Sequence, residues 1–254
     1  MHAASKLIRH KVMSPDTNLD LNDPRLQEML SKKIAAATAL LQQAASHFAP
    51  TAFANSLGAE DMLLTDLIAK EALEIEIFSL DTGRLPSETH DLMRTMQKHY
   101  NIKLHLYAPR PDLLEAYVGK EGEDAFYKSV ELRKACCHVR KVEPLQRALK
   151  GKKSWVTGMR AQQAVTRCGL QGQQFDATNG LEKFNPLHDW NEDEVWAYIR
   201  MREVPYNELH DKNFPSIGCA PCTRAVKAGE DTRAGRWWWE EPQHKECGLH
   251  DKNA

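Results

Sequence analysis

Thr51-Ala52-Phe53-Ala54-Asn55-Ser56-Leu57-Gly58-Ala59-Glu60-Asp61-Met62 is the stretch on which the fold turns. Its apolar run, 51–57, reads as a short strand, Gly58-Ala59-Glu60-Asp61 as a turn, and 62–72 as a helix. Working outward, the same order repeats. An apolar strand at 75–80 leads into the polar loop Asp81-Thr82-Gly83-Arg84 and a helix over 87–100, and a third strand falls at 102–107. Two helices fit 112–134 and 138–150, a fourth strand 154–157, and one or two edge strands 175–185. Upstream, 26–48 is rich in Ala, Leu, Gln and Lys with recurring apolar positions, which predicts a long helix. Downstream, 191–202 predicts a helix with Asp193 and Glu194 near its positive end. After Pro205 the chain is rich in Gly, Pro and Cys and loses periodicity. Strands alternating with helices predict an α/β fold, a mostly parallel sheet flanked by helices on both faces. The expected organisation is a loose arm over 1–25, one main domain over 26–236 and a mobile C-terminal tail over 237–254.

Composition narrows the function classes. The 254 residues are 42% hydrophobic, enough for a sizeable core, and the formal net charge is −1. No global field therefore favours nucleic acid or a membrane surface, and anion binding must come from local clustering. The first twenty residues hold no apolar run of signal-peptide length, and no stretch is long and apolar enough to span a bilayer. A cytoplasmic location is expected. In that setting six cysteines argue against a disulfide framework and for metal, cluster or redox work.

Ligands of parallel sheets bind outside the carboxyl ends of the strands. That rule puts three turns on one rim: Ser56 to Asp61, Asp81-Thr82-Gly83-Arg84, and Thr157-Gly158-Met159-Arg160. Gly58 permits close backbone approach, and the free N–H groups of the following helix suit a phosphate. The loop is not a Walker A, because it lacks the Gly-Lys-Ser/Thr ending. Asp81-Thr82-Gly83 is placed to contact a ribose or to brace the first loop. Arg160 and Arg167 offer cationic donors to phosphate, although a single arginine taken alone reads better as a solvated charge.

Cys136-Cys137 and Cys219-x-x-Cys222 form two thiol pairs far apart in the chain. Four thiolates suit tetrahedral zinc or an iron–sulfur cluster. Adjacent cysteines do not easily point at one small ion but can reach separate corners of a larger cube, which favours the cluster. Cys219-Ala220-Pro221-Cys222 also has the form of a dithiol redox pair. Basic residues crowd both pairs: Arg133, Lys134, His138, Arg140 and Lys141 at the first, Arg224, Lys227, Arg233 and Arg236 after the second. Cys247 stands alone in the polar tail Lys245-Glu246-Cys247-Gly248-Leu249-His250, where chain ends are usually mobile, and reads as a reactive thiol.

Taken in order, Ser56-Leu57-Gly58-Ala59-Glu60-Asp61-Met62, Leu80-Asp81-Thr82-Gly83-Arg84-Leu85, Cys136-Cys137-His138-x-Arg140-Lys141, Val156-Thr157-Gly158-Met159-Arg160, Asn185-Pro186-Leu187, Val204-Pro205-Tyr206-Asn207, Cys219-x-x-Cys222 and Glu246-Cys247-Gly248-Leu249-His250 form one pattern. From about residue 50 to the C-terminus it resembles the assimilatory adenylyl-sulfate reductases, of the phosphoadenylyl-sulfate reductase family. The resemblance implies an adenine-nucleotide α-hydrolase-like fold with a modified PP-loop at 56–61. It implies thioredoxin-dependent reduction of adenosine 5′-phosphosulfate (APS) to sulfite and AMP in assimilatory sulfate reduction and cysteine biosynthesis. The route implied is an S-sulfocysteine on Cys247, with thioredoxin or glutaredoxin as reductant. Members restricted to the 3′-phosphorylated substrate lack the four cluster cysteines. Cys136, Cys137, Cys219 and Cys222 therefore imply a 4Fe–4S type acting on APS, some members of which accept both substrates. Carried over position by position, Lys141, Arg233 and Arg236 surround the sulfate and phosphate, with Arg160 and Arg167 as secondary candidates. Ser56, Gly58, Leu80 and Gly83 lie along the nucleotide, and His250 either assists Cys247 or caps the tail. Homo-oligomerisation is left open. The chain departs from the family at Pro86-Ser87-Glu88, where Pro-Glu-Thr is common.

Overall fold

The computed structural model describes residues 20–163 and 169–241. Arg167, Cys247 and His250 lie outside the described residues. The first helix, α1 (Pro24–His47), starts where Asp23 accepts the Arg25 N–H at 2.9 Å and Pro24 takes the first turn. Its stripe Leu30, Ala37, Leu41 and Ala44 is buried. Six strands follow: β1 (Thr51–Ala54), β2 (Ile75–Leu80), β3 (His105–Tyr107), β4 (Ser154–Val156), β5 (Gln173–Asp176) and β6 (Leu181–Phe184). Between them lie α2 (Ala59–Lys70), α3 (Ser87–Tyr100), α4 (Pro111–Glu121), α5 (Val130–Cys137) and α6 (Glu143–Leu149), and α7 (Glu192–Arg202) comes after β6.

The sheet order is β3-β2-β1-β4-β6-β5. All neighbours are parallel except the β5–β6 pair, which is antiparallel at the edge. The mostly parallel α/β sheet read from the sequence is thus the observed fold. The main core joins α1, α2, α3 and α7 to the sheet through side chains such as Leu41, Phe53, Leu64, Met96, Trp190 and Ile199. A second cluster, Phe78, Leu145, Ala148, Leu149 and Trp155, seats α6 against strand residues. At α7 the capping box is complete, Asn191 and Glu194 each accepting from the other's N–H at 2.8 Å. Lys33 on α1 donates to the buried Glu194 carboxylate at 2.7 Å and so ties α1 to α7.

Several boundaries differ from expectation for identifiable reasons. β1 ends at Ala54 because the Asn55 side chain accepts the Leu57 N–H at 2.7 Å, and Leu57 turns into the left-handed region at φ 63. α2 accordingly begins at Ala59 rather than 62. The stretch 112–150 is not two helices. Gly122 ends α4 at φ 94, Ser129 caps α5 by accepting the Leu132 N–H, and a single π turn, His138–Val142, joins α5 to α6. Near the C-terminal limit of the described residues, Trp237 is 1% exposed and Arg133 forms a buried ion pair with Glu240 at 2.8 Å. Trp237 and Glu240 therefore pack on the body, while Trp238 between them is exposed.

Candidate active site

The strand order reverses between β1 and β4, and at such a switch point the loops after the two strands face each other across a crevice. Here those loops are Ser56 to Gly58 and Thr157 to Arg160. The Asp61 carboxylate accepts from the Ser56 N–H at 2.7 Å and from Ser56 Oγ at 2.6 Å, closing the first loop on the start of α2. Asn55 donates to Thr65 Oγ1 at 2.8 Å and fixes the strand end beneath it. Across the crevice, a Cβ on Gly158 would collide with the Asp61 carboxylate, so only glycine fits this close approach. Thr157 donates to Asn185 at 2.7 Å, which gives the Asn185-Pro186-Leu187 motif a structural task beneath the loop.

One cavity of about 250 Å³ occupies the crevice. Its apolar wall is Ala54, Phe78, Leu80, Leu145 and Trp155, from the carboxyl ends of three strands and the facing α6. At a second side Arg160 Nε donates to Glu60 at 2.8 Å, and Gln163 Nε2 donates to the same oxygen at 2.9 Å. Burial works to raise the Glu60 carboxyl. The Arg160 charge and the hydrogen bonds to Glu60 outweigh it, so the net shift is downward. Burial pushes Asp61 up to about 6, against the opposing hydrogen bonds from Ser56. At a third side stand Lys141, Arg233, Arg236 and Trp237. Arg236 donates to Ile217 O at 3.2 Å, and a Cβ on Gly218 would run into its guanidinium.

Beside this cationic side lies a second, small cavity of about 20 Å³. Cys136, Cys137, Cys219 and Cys222 all line it, together with Arg84, Arg133 and Arg140. None of the four is in a disulfide. Among the described residues, no three His, Cys, Asp or Glu side chains are grouped to hold one metal ion. By chemistry, the donor set of four thiols lining one cavity among guanidinium groups fits a soft iron–sulfur cluster. The loop Asp81 to Arg84 supports this cavity. Thr82 Oγ1 contacts Cys219 Sγ at 3.2 Å, the Arg84 carbonyl accepts the Ala220 N–H at 2.8 Å, and Arg140 Nη1 donates to Thr82 O at 2.6 Å. Burial raises the Cys136 thiol, and raises Cys222 to about 12. Cys219 is also pushed up by burial, but Lys141, Thr82 and the arginines reverse the direction and leave it lowered. Lys141 thus lines the first cavity and acts on thiols of the second.

Of the residues expected along the nucleotide and its anion, Ser56, Gly58, Leu80, Lys141, Arg160, Arg233 and Arg236 line the large cavity. Gly83 does not, since its loop faces the cysteines instead. Arg160 is held by Glu60 rather than standing as a lone cation. The basic residues beside Cys136-Cys137 split: Arg133 and Arg140 are buried, Lys134 and His138 exposed. Sequence reading missed Glu60 as the partner of Arg160, Asp61 as the lock on Ser56, and His210, which lines the large cavity. Glu60 and Arg160 were recoverable, because each follows a strand that borders the switch point. His210 lies in an aperiodic stretch and gave no signal.

Residues 50–225 match the phosphoadenosine phosphosulfate reductase domain family. The chain belongs to that family. It is accordingly an enzyme, an oxidoreductase of the sulfonucleotide-reductase kind. The adenosine 5′-phosphosulfate reductase of Allochromatium vinosum is 57% identical over 223 residues, covering 88% of this chain and 87% of the relative. That of Burkholderia cepacia is 50% identical over 221 residues, 87% of this chain and 88% of the relative. Among solved structures, the phosphoadenylyl-sulfate reductase of Candida auris in its phosphate complex superposes with TM-score 0.65 at 27% identity, over 85% of this chain and 100% of that one. The Candida glabrata FMN adenylyltransferase shares the fold, with TM-score 0.53 at 16% identity over 81% of this chain and 69% of that one. No helix among the described residues is long and apolar enough to cross a membrane.

Proposed function

We propose that this member of the family reduces APS to sulfite and AMP, using Cys247 as nucleophile and a thioredoxin-like dithiol as reductant. The observation that carries the reading is the layout of the large cavity. An apolar wall suited to a purine leads to Lys141, Arg233 and Arg236, suited to a phosphosulfate, and the four-thiol cavity adjoins that cationic side. The chemical obstacle is repulsion between a thiolate and a sulfate joined to a phosphate. Charge-assisted hydrogen bonds, worth about 1.5–3 kcal/mol each, lower it.

In the proposed first step the Cys247 thiolate attacks the sulfate sulfur. The Sγ–S bond forms, the bond from sulfur to the bridging oxygen breaks, and AMP leaves with that electron pair. Lys141, Arg233 and Arg236 hold the phosphate and sulfonyl oxygens in line, while the Ser56 loop and the apolar wall hold the nucleoside. In the second step a reductant thiolate attacks Cys247 Sγ and sulfite leaves with the S–S electron pair. The reductant's second thiol then resolves the mixed disulfide and returns Cys247 as thiolate. Cys136, Cys137, Cys219 and Cys222 would hold a 4Fe–4S cluster, whose charge beside Lys141 would shape the field at the anion site without carrying substrate electrons.

Sulfite release from APS with thioredoxin tests the reading, run beside the 3′-phosphorylated substrate. Cys247→Ser is expected to lose turnover while keeping its iron and acid-labile sulfide. Turnover by that variant with iron retained would overturn the mechanism.

A further inference from the structure

The segment that leads toward Cys247 is stitched to both thiol pairs before it leaves the described residues. Residues 235–237 run beside 222–224, the chain at the second pair. The Gly235 carbonyl accepts the Arg224 N–H at 3.0 Å, and the Cys222 carbonyl accepts the Trp237 N–H at 3.2 Å. Thr223 and Arg236 form an antiparallel bridge between the two stretches. Three residues on, the Glu240 carboxylate accepts from both Nε and Nη2 of Arg133, at 2.9 and 2.8 Å. Arg133 stands on α5 one helical turn before Cys137, and both residues line the small cavity.

This pair does more than fill space. The Arg133 and Glu240 side chains are 1% and 4% exposed. Withdrawing two charges from water offsets much of their attraction, so a buried pair adds little stability over apolar packing, and its best-attested use is to fix a register. The two-point fork of guanidinium on carboxylate fixes direction as well as distance. Trp237, between the two anchors, holds a positive φ of 41, a backbone setting that a bulky residue keeps only where its surroundings impose it. Arg133 from the small cavity and Arg236 from the large one both lie over its ring, their guanidinium carbons 4.6 and 4.7 Å from the centroid. The root of the tail is therefore fixed between the two cavities. Cys247 is seven residues beyond Glu240, a length that spans at most about 25 Å. With so short a chain, the direction of its root is a large part of what decides whether the thiol meets a ligand in the large cavity.

We infer that Arg133 and Glu240 are positioning residues for transfer of the sulfo group, a latch that aims the segment bearing Cys247 at the cationic side of the large cavity. This rests on the reading of Cys247 as nucleophile and adds to it the pair that places the thiol. Neither side chain lines the large cavity, so the latch acts on the encounter of sulfur with sulfur and not on nucleotide affinity.

The test is a single turnover of the holoenzyme with APS in the absence of reductant, read as the mass gain of one sulfo group on Cys247. Glu240→Gln keeps the shape and removes the charge. Arg133→Lys keeps the charge and removes the fork, and covers any folding failure of the first variant. In both, transfer is expected to slow about 10- to 100-fold, the loss that a misplacement of about 1 Å brings. AMP affinity should change by less than about twofold, and iron should stay at the wild-type level. Trypsin cleavage after Lys245 is expected to quicken about tenfold, a readout that does not pass through activity. A wild-type transfer rate, or unchanged cleavage, would overturn the inference while leaving Cys247 as nucleophile. Iron lost in step with the rate would assign the pair to the cysteine cavity alone and overturn it as well. If the wild type gains no sulfo group on Cys247, the nucleophile reading itself falls, and the inference with it.

Discussion

The crevice at the strand switch point and the cysteine cavity adjoin each other yet are held in opposite ways. The crevice is closed mostly by neighbours in sequence: Asp61 binds Ser56, Asn55 binds Leu57 and Thr65, and each contact forms within a strand–loop–helix unit. Arg160 and Gln163 on Glu60, and the Gly158 approach to Asp61, reach across from the segment after β4. The cysteine cavity has no such local frame. One pair ends α5, the other sits in a 3₁₀ turn late in the chain, and the loop after β2 joins them through Thr82, Arg84 and Arg140. A site built by the switch point of the sheet comes with the fold, while a site assembled from three remote segments depends on their docking.

That contrast is most severely tested at Cys219. Cys219→Ser removes one of the four thiols that line the cavity, and iron and acid-labile sulfide are expected to fall to background, with sulfite formation lost. AMP affinity should change by less than about tenfold, because the crevice keeps its own frame. Equal loss of AMP binding would show that the two regions are one unit.

A smaller effect belongs to Asp61 inside the crevice. Its carboxyl stands at about 6 in the fold against an ordinary 3.8. Raised above its unfolded value, this group contributes stability that is fully present below about pH 4 and is lost as pH rises to about 6. At 1.36 kcal/mol per unit the change is about 3 kcal/mol. Urea unfolding across pH 4–7 should show that decline in the wild type and its absence in Asp61→Asn. Parallel pH profiles for the two proteins would remove Asp61 from the frame.

Gly158→Ala should have the least effect of the three. The added methyl meets the Asp61 carboxylate and the Glu60 Cβ, and over-packing of this kind costs about 1–3 kcal/mol. The melting temperature is expected to drop by several degrees and AMP to bind more weakly, with iron content unchanged. Loss of iron in this variant would contradict the separation of the two regions.

Much of the fold was legible because periodicity is a local imprint. The strand at 75–80 and the helix at 87–100 coincide with β2 and α3, whose apolar spacing needs no partner to be read. The stretch 112–150 was misread because Gly122, Ser129 and a π turn interrupt a composition that is helical throughout. In the candidate site, the rim rule correctly gathered the loops at Ser56 and Arg160. The loop at Gly83 leaves β2 on the same rim but leans on the cysteine cavity through Thr82, since strand order alone does not say which way a loop leans.

The sequence by itself determined the alternation of strands and helices, the glycine turns at the strand ends, the two thiol pairs and the family motifs. These are matters of residue type and spacing, written along the chain. Only the tertiary structure decided that Arg160 belongs to Glu60, that Asp61 holds Ser56, that Thr82 leans on Cys219 and that His210 lines the large cavity. Each of these depends on the packing of segments brought together in space. A hydrogen bond is satisfied at about 3 Å, a distance that spacing along the chain does not encode.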